Sequence, residues 1–76
     1  MTDRERMAFF ERQGEEAYGR MYDATSPSDA TARHSDAKEA FHSAIGIALQ
    51  LEDEASAGRL QARLAGIKAV FRSQFS

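Results

Sequence analysis

Cysteine and tryptophan are absent from this 76-residue chain, and proline occurs once, at Pro27. Without cysteine there is no disulfide to staple the fold, no thiolate to hold a metal and no thiol nucleophile. No apolar run approaches the ~20 residues that span a bilayer. Met1 to Arg6 is dense in charge and does not offer the apolar stretch of a signal peptide. The expectation is a cytoplasmic chain with no membrane partner. A glycine-rich phosphate loop is also missing. The net charge of −2 weighs against general nucleic-acid binding.

What is present is helix-forming material: alanine, glutamate, arginine and leucine are plentiful, with 42% hydrophobic and 29% charged residues. The length suits one domain, which at this size buries only about 60% of its unfolded surface. Charge is unevenly placed. Residues 54–76 carry four basic and one acidic side chain, a net +3, and the rest of the chain is −5.

The spacing predicts three helices, approximately 3–23, 36–51 and 54–74, in an antiparallel all-α three-helix bundle with the second helix central. Thr2 and Glu5 form a capping-box pattern at the start of the first. Met7, Phe10, Gly14, Ala17 and Met21 then recur on one face, with Tyr18 beside them. Gly14 weakens a helix by roughly 1 kcal/mol relative to alanine, and close approach of another helix explains it. Residues 24–35 cluster turn formers around Pro27 and predict a loop, with Ser26, Pro27 and Asp29 able to cap one short turn inside it.

The second helix is expected to open at Asp36, with Glu39 three residues on. Phe41, Ala44, Ile45 and Ala48 form its main face, with Leu49 at the edge and Ile47 on the adjoining flank. So broad an apolar arc suits a helix touching two neighbours. Residues 36–74 read either as one helix or as two. Glu52 to Ser56 interrupts the apolar pattern, which favours a tight turn at Leu51–Asp53 with Asp53 as a new N-cap. The third helix carries a stripe of Leu60, Leu64, Ile67, Phe71 and Phe75.

No catalytic set or cofactor site emerges, so a non-enzymatic protein is expected. Glu39 and His42 match the Glu-x-x-His pairing of di-iron bundles, but such sites need two of these motifs plus two more glutamates. His42 falls on the polar side, so it reads as an exposed histidine and no metal is expected. His34, beside Ser35 at the expected helix start, reads as a capping or solvent residue. Arg59, Arg63, Lys68 and Arg72 are candidate nucleic-acid contacts. They bracket the apolar stripe on opposite flanks, which favours pairing with the acidic groups of the first two helices.

Phe9 and Tyr22 lie about 100° to either side of the first helix's centre, and Ile47 and Val70 are also off-axis. A small core has no room for all four. They form the candidate interaction surface, and protein–protein association, with a homodimer possible, is the leading functional expectation.

Two resemblances bear on the fold. Ala48-Leu49-Gln50-Leu51-Glu52 resembles the end of the second helix of a tetratricopeptide repeat, although the first helix does not have that repeat's Leu-Gly-x-x-Tyr spacing. The resemblance implies at most a repeat-like hairpin closed by a third helix. Residues 35–41 and 67–75 are similar to segments of short alphaproteobacterial helical proteins of unknown function. That similarity implies a bacterial origin and carries no activity, cofactor or site.

Overall fold

The computed structural model describes residues 1–75, with α1 at Asp3–Met21, α2 at Pro27–Gln50 and α3 at Glu54–Gln74. No strand occurs among the described residues. α1 packs on α2 and α2 on α3, so α2 is the central element of a small all-α bundle. Glu11 pairs with Arg59 and Glu15 with Arg63 at a constant offset along both helices, so α1 and α3 run parallel. The Cα extents, 38 × 23 × 13 Å, describe a flattened slab. The flattening arises because α1 and α3 both rest on α2 and reach each other mainly through long side chains.

Each helix start has a local cause. Thr2 Oγ1 accepts from the Glu5 N–H at 3.1 Å and Glu5 Oε1 accepts from the Thr2 N–H at 3.0 Å, a complete capping box. α2 begins at Pro27, nine residues before the expected Asp36, so the predicted loop over 24–35 is corrected to a short connection. Ser26 Oγ accepts from the Asp29 N–H at 3.1 Å, and Pro27 occupies the first turn, where its missing donor is not needed. A proline that would break a helix interior is here part of a helix start. Ala30, His34, Ala37 and Phe41 then fall on one buried face.

Between α2 and α3 the chain turns in three residues. Glu52 adopts a φ of 55°, its N–H donates to the Leu49 carbonyl, and the Asp53 N–H donates to the Ala48 carbonyl. This is a Schellman closure with glutamate at the left-handed position usually taken by glycine. Residues 36–74 are therefore two helices. Asp53 at once caps α3, accepting from the Ser56 N–H at 3.1 Å.

The core is narrow because small residues allow close approach. Ala37, Phe41, Ala44 and Ala48 of α2 are completely buried, with Leu60 and Ile67 of α3. A Cβ at Gly14 would stand 2.6 Å from two ring carbons of Phe41, which confirms the close approach of α1 to α2. Ile47, expected on an outer surface, is 6% exposed and belongs to the core. The arc of α2 is wide enough for Ile47 to lie on the α1 side, near Phe10 and Arg6. Leu49 is the α2 residue left outside, 56% exposed.

Gly14→Ala is expected to destabilise the fold by about 1 kcal/mol or more, because overpacking against a fixed ring exceeds the gain in helix propensity. Gly46→Ala and Gly66→Ala, which meet open space, should stabilise by up to about 1 kcal/mol each. Urea unfolding of the three variants checks both signs.

Candidate interaction surface

The residues singled out by sequence do not share one face. Phe9, 38% exposed, meets Phe10 edge-on with ring centroids 5.4 Å apart. Phe10 is half-buried against the core, so it fixes the outer ring in place. The pair stands at a shallow groove between α1 and α2 of about 360 Å³, lined also by Gln13, Ala17, Ala40 and Ser43. Arg20, Asp36 and Glu39 complete it. Neither Arg20 nor Glu39 takes part in an ion pair among the described residues.

Tyr22 lies about 20 Å further along the chain axis, at 1.5 Å per helical residue. It is 53% exposed, with its hydroxyl 3.0 Å from that of Tyr18 and its ring edge-on to Phe75 at 5.3 Å. The hydrogen bond with Tyr18 raises the Tyr22 phenol above its ordinary value. Val70 is half-buried on α3. With Ile47 in the core, Phe9 and Tyr22 remain as two separate exposed aromatics.

The basic residues of α3 divide in the same way. Arg59 donates to both carboxylate oxygens of Glu11, at 2.6 and 3.1 Å. Arg63 does likewise to Glu15, at 2.7 Å for each bond, and its guanidinium lies 5.1 Å over the Tyr18 ring. These bidentate pairs form a ladder across the α1–α3 seam, and the Arg59 hydrogen bond holds the Glu11 carboxyl below its usual range. Its signal was in the sequence: Glu11 and Glu15 are four apart, as are Arg59 and Arg63. Lys68 lines a second shallow groove with His42, Ile45, Gln61, Leu64 and Ala65, and Arg72 sits in the last turn of α3.

At one end of the slab Asp53 joins all three helices. Its Oδ1 accepts from the Ser56 N–H, and its Oδ2 from the Ser56 hydroxyl at 2.7 Å and from Arg4 at 3.0 Å. These bonds, those from Ser56 foremost, lower its pKa to about 2.

At the other end His34 corrects its expected role. It is neither cap nor solvent residue, but 8% exposed within α2, its ring stacked on Phe71 at 4.0 Å with planes 4° apart. Reading residues 24–35 as a loop concealed this position. Glu39 and His42 are both exposed, and no group of three or more metal-ligating side chains occurs among the described residues.

Compared with known proteins, the chain matches no family model, no curated protein and no solved structure.

Asp53 provides a pH test of the junction. Its folded pKa lies below the ordinary 3.8, so its contribution is present above 3.8 and is lost as pH falls towards about 2. Asp53→Asn is expected to be less stable than the wild type at neutral pH, and thermal melts should show that difference closing across this window. A difference unchanged down to the acid end would contradict the assignment.

Proposed function

We propose that this chain is a non-enzymatic helical module that acts by binding protein through its α1–α2 face, with a second copy of itself as the first partner. The observation that carries the reading is Phe9, an exposed ring set edge-on against Phe10 at the edge of an open groove. Affinity at such faces comes from a few central aromatic anchors, with a polar rim that excludes water. Arg20 supplies one sign of charge to the rim, and Asp36 and Glu39 the other. A groove carrying both signs is complementary to its own copy after a two-fold rotation, the commonest symmetry of homo-oligomers.

Glu11 and Glu15 weigh against a nucleic-acid role. Their carboxylates would have to be displaced before Arg59 and Arg63 met phosphates. The other basic side chains of α3 are few, on a chain of net charge −2.

Light scattering across a dilution series tests the reading. The wild type is expected to populate a dimer at micromolar concentration, and Phe9→Ala to weaken it at least about tenfold, or about 1.4 kcal/mol, with a melting temperature equal to the wild type's at dilutions where both are monomeric. A wild type that stays monomeric at the highest concentration contradicts self-association. Loss of folding in Phe9→Ala would return Phe9 to the core.

A further inference from the structure

The last turns of α3 are held differently from the rest of the bundle. Ile67 is the last fully buried residue of the helix, and beyond it Val70, Phe71 and Phe75 are only half-buried. What holds them is a run of rings: His34 stacks on Phe71, Phe71 on Phe75 at 6.2 Å, and Tyr22 meets Phe75 edge-on. Contacts of this kind, outside the densely packed core, belong to the part of a structure that opens first.

The imidazole in this run has an unusual setting. Its Nε2 is buried and has no hydrogen-bond partner. A neutral ring tolerates this by carrying its proton on Nδ1 and leaving Nε2 as a bare lone pair. Protonation must place a hydrogen on Nε2, where no acceptor waits. The parallel stack supplies no acceptor, since the N–H bonds lie in the ring plane and point away from the face of Phe71, and the cation–π attraction it offers is opposed by burial and by the neighbouring cations. The charged groups that bear on the ring have the same sign as the incoming proton. Lys38 acts from α2 and Lys68 from α3, and no carboxylate of α1, α2 or α3 opposes them among the described residues.

We infer that His34 makes the α2–α3 contact acid-labile: its protonation releases the end of α3 from Val70 onward and uncovers Phe71, while the α1–α2 pair stays folded. Burial first, and then the two lysines, lower the His34 pKa from 6.5. The sign follows directly. A neutral folded imidazole contributes stability above pH 6.5, and that contribution is lost as pH falls through the folded value. The uncovered surface is aromatic and shares the Tyr22 end of the molecule, about 20 Å from Phe9 at 1.5 Å per helical residue. Acid would therefore change which face the chain presents, independently of the α1–α2 groove.

Amide hydrogen exchange of the full chain at pH 7 and pH 5, corrected for intrinsic rates, tests the inference. Residues 70–75 of the wild type should lose protection at the lower pH. α1 and the Phe41 region of α2 should keep theirs. His34→Phe and His34→Gln should both abolish the pH dependence, and the second variant serves if the first does not fold. An NMR titration of the wild-type ring should give a midpoint below the ordinary value of about 6.5. Equal protection at both pH values, the same loss in the variants, a loss spread over all three helices, or a His34 midpoint at or above the ordinary value would each overturn it.

Discussion

The contact of the Phe41 ring with the bare backbone of Gly14 is the constraint on which the rest of the bundle depends. With no Cβ in between, α1 comes close enough for Ala17 to be buried beside the alanine-lined face of α2. Four fully buried side chains of α2, three of them alanine, are packed at that separation. A wider spacing would open voids along Ala37, Ala44 and Ala48, and each void removes dispersion contacts that water is too large to replace. Phe41 also belongs to the cluster that contains Leu60, Leu64 and Ile67, so the same ring transmits the α1–α2 distance to α3.

α3 meets α1 across a seam of another kind. Side chains of opposite charge cross it in register, and exposed pairs of this type contribute about 0.2–1 kcal/mol each. Such a ladder aligns two parallel helices more than it stabilises them. Stability of the third helix comes from Ala57, Leu60, Leu64 and Ile67 against α2, and it thins toward the C-terminal turns. The two ends of the slab are accordingly unlike. One is locked by Asp53, a cap, a turn residue and an ion-pair partner together. The other rests on rings and a buried imidazole. Under the proposed docking role, the partner would meet the firmly packed α1–α2 face, away from the end held by rings.

Much of this arrangement was legible in the residues. Thr2 with Glu5, Asp53 as a cap, the leucine and isoleucine stripe of α3 and the close approach at Gly14 all rest on local rules of spacing and capping. The start of α2 did not follow from them because Pro27 has two opposite meanings. It ends a helix from within and begins one from its first turn, and only the neighbouring Ser26 cap distinguishes the cases. That one misreading hid His34, whose partner Phe71 lies far along the chain. Ile47 was misplaced because the direction from which α1 crosses α2 decides which flank is covered. The groove beneath Phe9 is built from two helices, so it emerges only when their faces are matched.

The central claim is that the ring of Phe41 is what requires glycine at position 14. A double-mutant cycle with Gly14→Ala and Phe41→Leu measures this directly, with stability read from urea unfolding. Phe41→Leu alone is destabilising, since it removes part of a fully buried ring. The account predicts that Gly14→Ala costs less in the Phe41→Leu background than in the wild type, by about 1 kcal/mol or more, because the ring atoms it would strike are gone. An identical cost in both backgrounds would show that the glycine answers to some other contact and would contradict the account.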